Sequence, residues 1–462
     1  MIFMVSRPNL GSALGSLRTP AFRSWFVSQV LSVSGSMTQV VAQSWLVLKL
    51  TGSGLELGLL GSSAMLPLLL GGPAAGALVD RVDRRRLLIA TQSLFILLAG
   101  ILAALTFTGA VRVWMLFVLA FATGCVSAPD GAARQVYVLD LVGRERLASA
   151  VSLNEVVINL SRVAGPGVGG ILLGAAGIPA CFVANAVSYV PTLVVLIHHH
   201  RRLASRPSPA EPDARRRARG SIRAGLAYAW RTPALRYCLL MAAVSGMLFN
   251  LGVALPLLAT RTFHLDGAGY GLMMATFGAG GVAGALAAGA GRSMPAGRTV
   301  RLLALLTAVA ILATATAPAV AMAFAGLAVT GCLSIWFIAR ANTLAQLRAA
   351  PGMRGRVMGI WVMALPGSQP VTSPAVGYTA QVAPRAGFGL AGAALLVAAC
   401  LGWRSLGDRG EAAGAAARST PARRTRLRLG RTAPARTSPG DLGSSSRPAT
   451  SAGHGKGKEA IR

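Results

Sequence analysis

The stretch Gly76-Ala77-Leu78-Val79-Asp80-Arg81-Val82-Asp83-Arg84-Arg85 decides how the rest of the chain is read. It separates two mostly apolar runs, 57–79 and 87–109. A helix needs about 20 apolar residues to cross the hydrocarbon core of a bilayer. A short basic turn between two such runs is therefore a loop at one membrane face. Asp80 stands at the join, where an acid caps and charge-complements a helix N-terminus. Arg84 is placed to pair with an acid across the bundle, and Asp130 is its expected partner.

The same criterion, carried outward, gives twelve spans: 24–48, 57–79, 87–109, 113–133, 148–174, 178–197, 236–259, 268–291, 300–317, 319–341, 357–381 and 385–404. Charge is nearly absent from the first six. Glu155 and Arg162 are the interior exceptions, with Asp130 and Arg134 near the end of the fourth. Gly, Pro and polar residues interrupt 113–133, 319–341 and 357–381, which membrane helices tolerate because neighbours re-satisfy freed backbone groups. The expected class is an all-α integral membrane protein.

Charge then assigns the sides. The 462 residues carry 45 Lys+Arg against 14 Asp+Glu, a net of +31, although 53% are hydrophobic. In a soluble protein that excess would point to nucleic acid. Here it lies between spans. With the N-terminus inside, the inner loops receive Arg7, Arg18, Arg23, Arg81, Arg84, Arg85, Arg86, Arg144, Arg146, Arg292, Arg298, Arg301, Arg348, Arg354 and Arg356; the outer loops receive Lys49, Arg112, Arg261 and Arg385. That alternation follows the positive-inside rule. It places both termini in the cytoplasm of a bacterial cell membrane, the Arg, Ala and Gly bias being what a high-GC bacterial genome produces. The expected organisation is a six-helix half at 1–197, a basic linker at 198–235, a second six-helix half at 236–406 and a disordered basic tail at 407–462. Within the linker, Ser221–Trp230 is able to form an amphipathic helix. Linker and tail carry net charges of +7 and +8, which attract anionic lipid heads rather than nucleic acid.

The halves repeat. Thr19-Pro20-Ala21-Phe22-Arg23 returns as Thr232-Pro233-Ala234-Leu235-Arg236, 213 residues later, and the same offset carries Gly54 to Gly267, Gly58 to Gly271, Gly76 to Gly289 and Arg85 to Arg298. Two parallel six-span repeats place a substrate site near the midplane between them. Gly76–Arg85 also resembles the major facilitator superfamily signature G-x-x-x-D-R-x-G-R-R, with Asp83 where that family usually has Gly. Ser161-Arg162-Val163-Ala164-Gly165-Pro166-Gly167-Val168-Gly169-Gly170 resembles its antiporter-associated G-x-x-x-G-P-x-x-G-G, with Ser161 for the first Gly. Ala132–Gln135, Asn342–Gln346 and Arg354–Val357 are similar to the enterobactin-exporter-like and macrolide-efflux branch. The resemblance covers about residues 18–405.

The resemblance implies that Gly76, Asp80, Arg81, Arg84 and Arg85, with Asp130, form a gate holding the halves closed on the inside; the alternative is a solvated basic loop that only sets topology. Glu155, Asn159 and Arg162, at i, i+4 and i+7, share a helix face. With Asp130 they are the proton-coupling candidates, or else a structural polar cluster. The fourth span has no Arg in 113–126, where many drug antiporters carry one. Gly165, Pro166, Gly169 and Gly170 mark either a tight bend or generic close packing. The resemblance also implies that the first, fourth, seventh and tenth spans line the centre. Gln29, Ser36, Gln39, Gln43, Asn159, Asn250 and Asn342 are then the cavity candidates, Gln29, Ser36 and Gln43 recurring every seven residues. Otherwise apolar walls suit an amphiphilic substrate better than a sugar. His198-His199-His200 reads as a solvated interfacial cap before it reads as a metal site.

No cofactor or metal is expected: the five cysteines lack zinc spacing and no GxxxxGK[ST] loop is present. No HExxH or GxSxG motif supports an enzyme. The expected function is a secondary transporter, monomeric, exporting a small amphiphilic drug, antibiotic or siderophore-like molecule by alternating access in exchange for protons. Uptake or uniport by the same fold, and a non-transporting membrane scaffold, are the alternatives.

Overall fold

A computed structural model describes residues 15–79, 81–143, 145–198, 227, 230, 232–290, 296–349, 357–358, 360–361, 364 and 367–401. Asp80, His199, His200, nearly all of the 198–235 linker and the whole 407–462 tail lie outside them. Regular structure among the described residues is helical: α1 (Pro20–Thr51), α2 (Gly54–Val79), α3 (Arg84–Phe107), α4 (Val113–Val142), α5 (Leu147–Ala175), α6 (Gly177–His198), α7 (Pro233–Leu248), α8 (Leu251–Leu257), α9 (Gly267–Ala290), α10 (Gly297–Ala315), α11 (Val320–Arg348), α12 (Gln369–Val382) and α13 (Pro384–Leu401). A short 3₁₀ turn precedes α1, and one π-helical turn, Leu258–Thr262, continues α8.

Local chemistry explains the boundaries. Both α1 and α7 open on Thr-Pro, the Pro occupying a first-turn position whose missing N–H costs nothing. α1 stops at Gly52, whose φ of 64° is the left-handed cap glycine favours, and its N–H bonds Leu48 O at 2.8 Å. The repeat is legible in the helix starts. Pro20 and Pro233, Gly54 and Gly267, and Arg84 and Gly297 are each 213 residues apart; Val113 and Val320, and Gly177 and Pro384, are 207 apart. From the start of its third helix to the start of its fourth, the second copy is six residues shorter, mostly within the helix itself.

Nine described helices are long and apolar enough to cross a membrane, and ten if α7 and α8, bent by 42° at Phe249–Asn250, form one span. The other two expected spans have physical reasons for falling short. α1 is 32 residues long but diluted by Ser, Thr and Gln. Of 357–381, only part is described, with α12 starting at Gln369. α4 runs to Val142, well past the expected end at 133, because its charges are paired. Apolar side chains such as Val118, Ile171, Val187, Leu272 and Val397 are exposed, as a lipid-facing surface requires.

Alternation of helix direction puts Arg84, Val142, Leu147 and His198 at one end of the bundle, the basic end, and Gly52, Phe107, Ala175 and Arg261 at the other, the far end. The far end has one buried cluster shared by both halves, joining Val41, Leu57, Leu116 and Phe182 to Leu255, Tyr270, Leu327 and Phe388. The basic end has two clusters, each confined to one half: Phe22, Trp25, Leu88, Tyr137 and Leu196 in the first, and Leu235, Met241, Phe337, Trp361 and Leu395 in the second.

Candidate functional site

Below the shared far-end core lies a cavity of about 530 Å³ between the halves, within the usual range of roughly 300–1,000 Å³ for small-molecule sites. Met37, Val40, Gln43 and Ser44 of α1, Leu57, Leu60 and Met65 of α2, and Met274, Phe277 and Gly278 of α9 form much of its wall. Arg162 and Pro166 of α5, the α7–α8 break from Phe249 to Val253, and Gln369 of α12 complete it. Helix direction places Met37, Met65, Arg162, Gly278 and Gln369 on its side nearer the basic end.

Of the expected cavity residues, Gln43 and Asn250 line this space, as does Arg162. Asn250 spends its amide within its own half: Nδ2 donates to Thr372 Oγ1 at 3.1 Å and Oδ1 accepts from Ser373 Oγ at 2.7 Å. Those bonds pin the break between α7 and α8 onto α12. The other candidates lie elsewhere. Gln29 Oε1 accepts from Arg134; Ser36 Oγ bonds Tyr189 OH at 2.9 Å; Gln39 Oε1 accepts from Asn185 Nδ2 at 2.5 Å. Asn159 donates to Glu155 O at 2.8 Å, and Asn342, toward the C-terminal end of α11, accepts from Gln346 at 2.9 Å. Gln29, Ser36 and Gln43 do recur on one stripe, but it spans about 21 Å of helix. The stripe meets α4 and α6 near the basic end and the cavity only at Gln43. Of the first, fourth, seventh and tenth spans expected to line the centre, the first and seventh do so among the described residues. α4 contributes Ala120 alone and α11 nothing among the lining residues, while α2, α5 and α9 supply much of the rest and α12 adds Gln369.

Arg162 sits over the Phe249 ring, 5.5 Å from its centroid. Glu155, expected on the same face, is exposed. Asp130 is buried and fully engaged. It accepts from Thr91 Oγ1 at 2.7 Å and Gln92 Nε2 at 2.8 Å and forms an ion pair with Arg134, one turn away on α4. Arg134 then reaches Gln29, so the network joins α1, α3 and α4.

Asp130 is consequently not the partner of Arg84. Arg84 Nη1 pairs with Asp140 at 2.9 Å, because Asp140 lies at the same end of α4 as the loop, while Asp130 is about 15 Å further along the helix. The helix cap is Asp83, which accepts from Arg86 N at 2.8 Å. Arg85 donates to Leu196 O at 2.6 Å and Ile197 O at 3.2 Å, the open carbonyls ending α6. Arg81 is exposed, and Gly76 lies in the last turn of α2. These contacts of Asp83, Arg84 and Arg85 fall within their own half.

The Gly-Pro segment keeps α5 helical and serves two neighbours. On one face Gly165 and Gly169 lie against α1, and Thr38 Oγ1 donates to Gly165 O at 2.8 Å. On the other, a Cβ at Gly170 would come within 3.0 Å of Gly271 Cα on α9. Pro166 has no N–H for Arg162 O, and Gly278 lets α9 approach that carbonyl closely. A second seam joins α2 to α12, where Gly54 and Gly58 face Gly377 and Ser373. Hydrogen bonds cross this seam from Ser53 Oγ to Gln381 Oε1 at 3.0 Å and from Ser62 Oγ to Pro370 O at 2.7 Å. Arg261 clasps it, donating to Gly52 O at 2.6 Å and Gln381 O at 2.7 Å. Trp45 stacks on Tyr270 with ring centroids 6.0 Å apart. Sequence reading missed this seam; the Gly54/Gly267 and Gly58/Gly271 repeats were its one visible signal.

The sequence model of the transmembrane secretion effector family matches residues 11–429. The chain belongs to this family of major facilitator superfamily transporters. This secretion effector homologue is a multi-pass membrane protein similar to the Staphyloferrin A transporter of Staphylococcus aureus, at 29% identity over 187 residues, covering 40% of this chain and 47% of that one. It therefore spans about half the length of that relative. It is also similar to the multidrug efflux pump Tap of Mycolicibacterium fortuitum, at 29% identity over 337 residues, 71% of this chain and 81% of Tap. In fold it matches a bacterial homolog of the human lysosomal transporter Spinster, with a TM-score of 0.65 at 12% identity, covering 84% of this chain and 96% of that one.

Proposed function

We infer that the protein exports a small amphiphilic molecule from the cytoplasm by alternating access, driven by inward proton flow. The observation that carries this reading is the cavity between the halves, sealed at the far end by a shared core and flanked toward the basic end by two separate ones. Two packed bodies hinged around a central site are what alternating access needs. With the basic end cytoplasmic, by the positive-inside rule, this conformation faces inward. The basic loops draw the protein onto anionic lipid of the cell membrane, and it works as a monomer because each chain holds its own cavity. The likeness to a Staphyloferrin A transporter and to a multidrug efflux pump supports export. Asp130 and Glu155 are the acids available for proton coupling, and the 76–86 loop with Asp80 is the inner gate of the outward-facing state. One proton moving across 100 mV supplies about 2.3 kcal/mol, and one pH unit adds about 1.4 kcal/mol. Together these sustain a gradient of several hundred-fold for a neutral substrate.

The test is flux in proteoliposomes loaded with a fluorescent amphiphile such as a dansyl derivative. Substrate movement opposite to an imposed proton gradient, abolished by a protonophore, is the expected result. Movement in the same direction as protons would establish uptake instead, and no flux for any amphiphile tried would favour a scaffold.

A further inference from the structure

The cavity contains a charge that the transport reading has not used. Arg162 is the charged side chain among the described residues lining it. It stands midway along α5, about 22 Å from Leu147. Among the described residues no carboxylate lies within ion-pair distance of its guanidinium; the acids paired there are Asp140, with Arg84, and Asp130, with Arg134. Its guanidinium lies over the face of Phe249, and Glu155, two turns earlier on α5 and exposed, acts on it only through space. Ionisable groups at membrane depth are costly and face a cavity or a counter-ion. An Arg cannot reduce that cost by losing its proton, so the charge is best compensated by an anion entering the cavity. Around it the walls are apolar and adaptable: Met37, Met65 and Met274 are unbranched thioethers that re-pack around different shapes. Asn250 has its amide committed to Thr372 and Ser373, which leaves Arg162 the strongest donor facing the space.

We propose that the transported molecule carries an anionic group, a carboxylate, phosphate or sulfonate, on a compact apolar body, and that Arg162 binds that group while Phe249 and the methionines receive the body. The planar guanidinium suits such oxyanions bidentately. A cationic amphiphile of the same shape is repelled, and a neutral one forfeits the charge-assisted bonds. The proposal rests on the reading of the cavity as a transport site and narrows its substrate class.

Three probes with one apolar body test it: dansylglycine (anionic), dansylglycinamide (neutral) and dansylcadaverine (cationic). Binding to the full-length protein in non-ionic detergent is followed by energy transfer from tryptophan, at a salt concentration that screens the basic loops. Dansylglycine is expected to bind about tenfold more tightly than the amide, with the amine weakest. Arg162→Gln should abolish that preference, and Arg162→Lys should keep part of it; both retain every Arg of the loops and linker. Equal binding of the three probes to the wild type, undetectable binding of dansylglycine, or a preference that survives Arg162→Gln overturns the proposal. The wild-type series needs no variant to fold. Efflux of the same probes from proteoliposomes separates the two readings. Flux without charge preference removes the anion site and leaves transport standing, whereas a charge preference in binding without flux of any probe leaves the site standing and removes transport.

Discussion

The two ends of this bundle are held together by different physics. At the far end, glycines bring backbones of opposite halves into contact, α2 on α12 and α5 on α9, over a core that both halves share. At the basic end each half is finished separately, with its own buried cluster, and in the first half with charged side chains satisfied internally. Close contact through small residues, with a few neutral or exposed hydrogen bonds across it, can part and re-form without stranding a buried charge. Ion pairs buried inside one half resist separation, because breaking one strands a charge. In the proposed alternating-access cycle, the far end would be the one to open between halves, and the basic end would keep each half rigid.

The largest expected effect falls on rigidity. Asp130→Ala removes a buried carboxylate from Arg134, itself 18% exposed, a loss toward the lower end of the about 3–5 kcal/mol of a buried pair. Thermal unfolding in detergent should show a large drop, and adding Arg134→Gln should restore part of it, since coupled residues are not additive. Additive losses would mean that the pair is not a unit. Next comes closure. Gly271→Val drives a side chain into Gly170, an overpacking cost of about 2 kcal/mol, or roughly thirtyfold against the closed far end. Spin-label distances between Thr108→Cys and Ala383→Cys, in a background without the native cysteines, should lengthen. An unchanged distribution would show that the seam tolerates side chains.

The contrast between the ends also explains what the sequence could reveal. Span positions follow from apolar run length, and the repeat from Thr-Pro starts and paired glycines. Both are local properties and both are visible in the helices. The end of α4 was not, because Arg134 and Asp140 read as loop charges until their partners are known. Neither was the lining. Periodicity places Gln29, Ser36 and Gln43 on one stripe, yet which neighbour a stripe meets at each depth depends on tertiary packing. Arg162 was visible as an intramembrane charge; its neighbour Phe249, from the other half, was not. The motif glycines carry a packing signal without an address: Gly170 faces Gly271 across the seam, and α5 stays helical through the motif.

Arg261 tests the far end more gently. Its two bonds reach backbone carbonyls of Gly52 and Gln381, at an exposed position. Solvent screening leaves them about 1 kcal/mol, so Arg261→Gln should shift the same spin-label distribution toward opening by roughly fivefold. The effect should lie well below that of Gly271→Val. If Arg261→Gln opens the seam further than the glycine substitution does, the clasp rather than the backbone contact holds this end.

The smallest effect on stability is also the one that bears on the loop from which the fold was read. Arg84 and Asp140 are each about one-fifth exposed, and such a pair contributes about 0.2–1 kcal/mol, declining with added salt. Arg84→Gln should therefore leave thermal unfolding nearly unchanged. If the loop only sets topology, flux should be nearly unchanged as well. A gate acts in the other conformation, where the halves approach at the basic end and a cation released from Asp140 has a new partner to meet. Flux through Arg84→Gln should then fall by roughly tenfold, within the usual range of coupling energies between states. The ratio of the two losses, flux against unfolding, distinguishes a residue that holds one half together from one that changes partners between states. Equal small losses would place Arg84 with the rigid fittings of the basic end.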